Sequence, residues 1–247
     1  MNYESLELDT KRAKFAFIGD LHIGSLNCRK EAFERTIDWC NENDAYVYTM
    51  GDLIDAITPN DVRFDPGNVD REFLTMSEQL GYVEEQLGRL KPGLFKGMVS
   101  GNHYGKWATK ACVNEKVRMC KRLGGDFTAL RVLLDIKLKE STTTLSFWHG
   151  AGGGYEMGAV ANRMAKEPRA FDAEIYLMGH SHRLFHFPSI KLTNARLRED
   201  RQQLVQFVNT GCYLASYEEG IGGYGESKGY SPQAIGFSVV MLEDGHI

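Results

Sequence analysis

Cysteine chemistry has little to work with in this chain. Its five cysteines (Cys28, Cys40, Cys112, Cys120 and Cys212) are odd in number, scattered, and form no CxxC pair. That pattern excludes a disulfide framework and reads as reduced thiols in a cytoplasmic protein. None has a histidine beside it in sequence, so a cysteine nucleophile is unsupported. Long apolar runs are missing as well. No stretch approaches the roughly 20 residues that span a bilayer, and the opening MNYESLELDTKRAKF is charged, with no apolar signal-peptide core. No membrane partner is expected. A strong charge of either sign is also absent: a net charge of −4 gives no global attraction to nucleic acid or membrane, although local patches still count. Repeats, low-complexity runs and linkers are not found either. With ordinary apolar (43%) and charged (25%) content, the chain reads as one soluble domain over residues 1–247, burying roughly 75% of its unfolded surface.

What is present is an alternation of apolar runs and amphipathic stretches. KFAFIGD, AYVYTMGD and LFKGMVSGNH read as buried strands. Between them, RKEAFERTIDWCNEN and REFLTMSEQLGYVEEQLGRL carry apolar residues at helical spacing, the second stopped by KPG. Strand–helix–strand–helix–strand implies right-handed crossovers and a largely parallel sheet. Six further runs read as strands: RVLLDIKLKE, TTLSFWHG, AEIYLMGH, LFHFPSIKL, QLVQFVNTG and IGFSVVML. They are joined mostly by turns, with one helix near MGAVANRMAKE. Nine strands and about four helices therefore predict an α/β fold of two sheets, partly antiparallel, packed together and covered by helices.

Histidine is scarce, 7 in 247 residues, yet two stand one residue apart in LMGHSHRLF. Alternate residues of a strand share a face, so His180 and His182 face the same way if strand geometry continues. They suit one metal or two neighbouring ones; in a turn they simply meet solvent. The other strand ends break the tie. Five strands end in related chemistry: GDLH, GDLID, GNH, WHG and GHSH. Ligands of open α/β sheets bind beyond the carboxyl ends of strands. There Asp20, His22, Asp52, Asn102, His103, His149, His180 and His182 would meet, including five of the seven histidines. Carboxylates mixed with imidazoles suit Mn²⁺, Fe, Zn²⁺, Co²⁺ or Ni²⁺ better than an oxygen-only Mg²⁺ or Ca²⁺ site.

The ordered set D-x-H, G-D-x-x-D, G-N-H, H and G-H-x-H, running from position 20 to 182, resembles the calcineurin-like metallophosphoesterase superfamily. Each motif alone is weak; together, in this order, they are specific. The resemblance implies a four-layer α-β-β-α sandwich with its active site at the strand carboxyl ends. It implies two divalent cations, manganese first among the candidates. Asp20, His22 and His182 would hold one, Asn102, His149 and His180 the other, and Asp52 would bridge them. It also implies hydrolysis of a phosphate ester by cation-activated hydroxide, His103 giving a proton to the leaving oxygen. Asp55 would hold His103, since a carboxylate contact raises an imidazole's pKa and fixes its tautomer; Asp55 as a turn cap is the alternative.

Two positions depart from the family. Tyr104 follows G-N-H where an acidic residue is usual, and Ala56 follows G-D-x-x-D where the protein phosphatases carry a phosphate-gripping Arg, so a phosphoprotein substrate is not expected. The segment YGKWATKACVNEKVRMCKR sets six Lys and Arg against Glu115 alone. As a basic helix it could follow a nucleic-acid backbone, with Lys106 at the site and Trp107 stacked on a base; as a solvated helix it would turn Val113, Val117 and Cys120 inward. Arg163, near His149, is a second candidate phosphate contact or, equally, ordinary surface charge. The Gly- and Tyr-rich segment around Tyr213, Tyr217, Tyr224 and Tyr230 reads as a loop over the site, its tyrosines stacking on a base or packing the loop down. The leading expectation is a phosphodiesterase acting on nucleotides or nucleic acid, a nuclease included. A phosphomonoesterase acting on a small metabolite is the alternative, and a scaffold that has lost catalysis is the third reading.

Overall fold

The computed structural model describes residues 1–57, 61, 64–103, 108–154, 156–192, 202–217 and 224–244, with backbone alone for 108–114, 224 and 227. Lys106, Tyr104 and Trp107 lie outside the described residues, as does the side chain of Tyr224. In chain order the elements are β1 (Asn2–Glu7), β2 (Arg12–Ile18), α1 (Lys30–Glu42), β3 (Tyr46–Thr49), α2 (Met76–Gly88), β4 (Phe95–Val99), α3 (Ala108–Leu123), β5 (Asp126–Thr128) and β6 (Arg131–Lys137). They continue with β7 (Thr142–Trp148), α4 (Met157–Met164), β8 (Ile175–Met178), β9 (Leu184–Leu192), β10 (Gln202–Thr210), a one-turn α5 (Tyr224–Ser227) and β11 (Ser238–Glu243).

The strands form two mixed sheets, ordered β1-β6-β7-β8-β10-β9 and β11-β2-β3-β4-β5. Three apolar clusters account for the layering. Phe15 and Phe17 of β2 face the other sheet, meeting Phe147 and Leu177; their neighbours Ala16 and Ile18 face α1 and α2 through Phe33, Ile37 and Val83. On the far side, Tyr176 and Met178 of β8 pack with Val160 and Met164 of α4, while Ile175 and Leu177 point between the sheets. The period of two sends alternate residues to opposite faces. Burial of both faces is why these strands read as unbroken apolar runs. The architecture is the four-layer sandwich the sequence implied, with β1 and β5 as strands beyond those expected.

β2, β3 and β4 are parallel neighbours in one sheet, and β7 and β8 are parallel neighbours in the other. Their five carboxyl ends open toward the same loops. No helix of the described residues is long and apolar enough to cross a membrane. Cys28, Cys40, Cys120 and Cys212 are free and buried. Burial pushes the thiols of Cys40, Cys120 and Cys212 up to about 12, so none of the three offers a thiolate nucleophile at neutral pH.

Candidate metal centre

The loops after β2 and β3 run side by side and set the site's floor. Asp20 N donates to Gly51 O (2.9 Å), His22 N to Asp52 O (3.0 Å), Ile23 N to Leu53 O (3.1 Å) and Asp55 N to Ile23 O (2.8 Å). The paired loops bring Asp20, His22, Asp52 and Asp55 together from two strand ends. His103 N donates to Asp52 Oδ1 (3.0 Å), and His180 N donates to Asp20 Oδ2 (3.0 Å). These two bonds fasten the β4 and β8 ends to the same floor.

Backbone conformation sets this place apart. Among the described residues seven non-glycines have a left-handed φ, and five of them are Asp20 (52°), His22 (54°), Asp52 (47°), His180 (68°) and His182 (57°). Such conformations cost roughly 1–3 kcal/mol each and persist where the surrounding structure over-determines them. Two glycines make room. A Cβ on Gly101 would lie 1.9 Å from Asp52 Oδ1, and one on Gly179 would lie 2.8 Å from Asp20 Oδ2.

The donor atoms fall into two groups. In the first, Asp20, His22 and His182 offer ligand atoms to one another, with His22 Nε2 and His182 Nε2 3.1 Å apart. Asp20 Oδ1, 3.4 Å from His182 Nε2, is buried and makes no hydrogen bond. In the second, Asn102 Oδ1 lies 2.7 Å from His149 Nε2 and 2.8 Å from His180 Nδ1, while Asp52 Oδ2 lies 3.1 Å from His149 Nε2. Asp52 also groups with His22 and His103, so it stands between the two sets. A cation roughly 2.1 Å from each ligand leaves adjacent ligand atoms about 3.0–3.4 Å apart, close to the separations here. The residues present fit two divalent ions. A donor set of carboxylate, amide oxygen and imidazole, without thiolate, suits the manganese-to-zinc series.

The electrostatics agree. Asp20 and Asp52 are fully buried, at 0% and 1% exposure, which unpaired would cost of the order of several kcal/mol each. Burial pushes the Asp52 carboxyl up, but the His149, His103 and His22 imidazoles outweigh it and hold it well below its usual range. Asp20 is likewise lowered, burial being overcome by His182 and His149. Burial pushes His149 down, yet Asp52 and Asp20 lift it to about 9. His22 is lowered by burial and by His103; His180 is lowered by burial and by His149.

Around the donors sits a supporting ring. His149 Nδ1–H donates to Met50 O (2.8 Å), which turns Nε2 toward Asn102. His180 Nε2–H donates to Gly152 O (3.3 Å), which does the same for its Nδ1. Asp55 Oδ1 is 3.2 Å from His22 Nδ1 and 3.4 Å from His103 Nδ1, and the Asp55 carbonyl accepts from His103 Nδ1 (3.1 Å). Asp55 thus orients two imidazoles, whereas the sequence reading gave it only His103. Burial pushes its carboxyl up, but bonds from His103 and His22 bring it far down.

A cavity of 290 Å³ opens above, lined among others by His22, Asp52, His103, His180 and the glycine loop 152–154. Arg163 is not among its lining residues: its Nη2 donates to Gly153 O, clamping that loop. The basic stretch of α3 is largely spoken for in the described residues. Lys116 is 2% exposed, Arg118 pairs with Glu115 and Arg122 with Glu84 of α2. Tyr213 is not over the site; it is buried beneath it, its hydroxyl 2.7 Å from Thr36 Oγ1. Tyr230 lines the cavity, together with Asn27 and Gln233, which the sequence reading missed.

At the strand ends of a double-sheet α/β sandwich, carboxylates and imidazoles form groups that could hold metal ions. No family model matches this sequence, and no curated protein does. Solved structures similar in fold include a conserved uncharacterised protein from Streptococcus pneumoniae TIGR4, described as a predicted phosphoesterase, at 15% identity and TM-score 0.36, covering 94% of this chain and 84% of that one. Vps29 from Entamoeba histolytica, in complex with Zn²⁺, is similar at 13% identity and TM-score 0.42, covering 94% and 87%. A single-site variant of Vps29 from that organism gives 13% and 0.40 over the same shares. With TM-scores this low, the chemistry of the site rests on this chain's own residues.

Proposed function

We propose that this protein is a metal-dependent phosphoesterase that hydrolyses a phosphodiester of a nucleotide or nucleic acid. The observation that carries the reading is the meeting of two donor sets at Asp52, on the floor of an open cavity. Asp20, His22 and His182 would hold one cation and Asn102, His149 and His180 the other, with Asp52 shared. Two such cations, when bound, supply charge neutralisation at phosphorus and lower the pKa of water from about 15.7 toward 7.

The chain's own residues do the rest. Met50 O and Gly152 O fix the rings of His149 and His180, so the donor set is in place before substrate arrives. Asp55 holds His22 and His103 in register. His103 lines the cavity, with Nε2 4.0 Å from Asp52 Oδ2; there it delivers a proton to the leaving oxygen as the ester bond breaks.

Turnover of bis(4-nitrophenyl) phosphate and of 4-nitrophenyl phosphate in Mn²⁺ tests the ranking. Faster diester cleavage is expected; faster monoester cleavage selects a phosphomonoesterase. Asp52→Asn is expected to lose more than the roughly 10–100-fold that follows loss of a group merely supporting a metal ligand. Undiminished hydrolysis by that variant would sink the two-cation reading.

A further inference from the structure

Three chain segments build one wall of the cavity, and the mechanism above uses none of them. Leu214 bridges Cys28 and Cys212 bridges Ile235. Ala215 N donates to Asn27 O (2.9 Å) and Gly236 N to Cys212 O (2.9 Å). The stitched wall presents Asn27, Gln233 and Ser216 beside Leu214, Ala215 and Tyr230. It therefore joins uncharged amide and hydroxyl groups to apolar and aromatic surface, with no Lys, Arg, Asp or Glu among the lining residues of these segments.

Asn27 Oδ1 and Gln233 Oε1 are buried and make no hydrogen bond, and Asn27 is 3% exposed. A buried acceptor without a donor costs about 1–3 kcal/mol; both residues line the cavity, so turning either amide toward it exchanges that cost for a hydrogen bond from a ligand's N–H group. Asparagine and glutamine amides pair with base edges that carry an exocyclic amine, and an aromatic ring offers a stacking face that any base fits. A polyol would leave Leu214, Ala215 and Tyr230 against hydroxyls. An alkyl group would leave both amides unpaired. The cavity of 290 Å³ is at the small end of ligand pockets, a size that suits a mononucleotide.

We propose that this wall is a nucleoside subsite that reads an amino-bearing base, holding the nucleoside part of the substrate while its phosphate lies over the donor atoms; this rests on the phosphoesterase reading. The test is isothermal titration of the Mn²⁺-loaded protein with adenosine 5′-monophosphate, purine riboside 5′-monophosphate (which lacks the amine), ribose 5-phosphate and inorganic phosphate. Adenosine monophosphate is expected to bind at least tenfold tighter than ribose 5-phosphate, with purine riboside monophosphate in between. Gln233→Leu, and independently Asn27→Ser, should close the gap between the two purine nucleotides. Equal binding of adenosine monophosphate and ribose 5-phosphate overturns the subsite, as does a gap that survives both variants. If the binding order holds but bis(4-nitrophenyl) phosphate is not cleaved, the subsite stands and the phosphoesterase reading falls.

Discussion

His149 shows at the scale of one residue how the fold stores affinity for a cation. In the metal-free protein Asp52 lifts its imidazole to about 9 against the push of burial. Below that pH the ring carries a proton that a cation must displace. Affinity should therefore rise with pH, about tenfold per unit for each proton released. Mn²⁺ titrations at pH 6.5 and 8.5 check this, and equal affinities would count against His149 as a ligand. The sign for stability is opposite. A folded-state pKa raised above 6.5 stabilises the metal-free fold below 6.5, and that contribution fades as pH climbs through about 9. Gly101 is the second residue with a sharp consequence. An added Cβ meets Asp52 Oδ1 at 1.9 Å and Asp52 N at 2.2 Å, and the backbone contact cannot swing aside. Gly101→Ala should cost about 1–3 kcal/mol in denaturant melts and weaken cation binding; a neutral result would mean that the loops after β3 and β4 are not locked together. That Asp20, His22, Asp52, Asn102, His149, His180 and His182 lie close together was legible from the strand-end motifs, while their roles as donors came from the resemblance. The left-handed backbones of five of them and the oxygen–glycine contacts were not legible, because Asp and His tolerate that conformation without requiring it.

At the scale of elements, the loop after β7 ties the centre to α4. Arg163 clamps Gly153 O, and the neighbouring Gly152 O accepts from His180. Arg163→Met should therefore loosen the ring of His180 and weaken one of two cation-binding steps by roughly 10–100-fold, with Arg163→Lys recovering part of the loss. Stepwise Co²⁺ titration reads each step separately, and two unchanged steps would refute the link. Sequence reading placed Arg163 near His149 and left it between phosphate contact and surface charge, since charge is visible in sequence and the direction of a guanidinium is not. Element boundaries tell a similar story. The stretch from Arg71 read as helix, but α2 starts at Met76, where Thr75 and Glu78 form a capping box. β1 went unseen because only one of its two half-buried positions, Glu4 and Leu6, is apolar, too little for an alternation to show in the letters. β9 was found despite Pro188, which an edge strand tolerates.

Across the whole molecule, central strands of two sheets, β2, β3, β4 and β8 buried on both faces, bring five strand ends together with β7, and residues as far apart as Asp20 and His182 become neighbours. The double burial made the strands legible as apolar runs, and their shared ending in Gly and polar residues made the convergence legible too. The cavity wall was less so. Asn27 and Gln233 are ordinary polar residues until the bridges Cys28–Leu214 and Cys212–Ile235 bring their segments together. The most direct measurement is anomalous diffraction from a crystal soaked in Mn²⁺. Two peaks about 3.5–4 Å apart, one against Asp20, His22 and His182, the other against Asn102, His149 and His180, with Asp52 reaching both, is the predicted result. A single peak, or peaks away from Asp52, would contradict it.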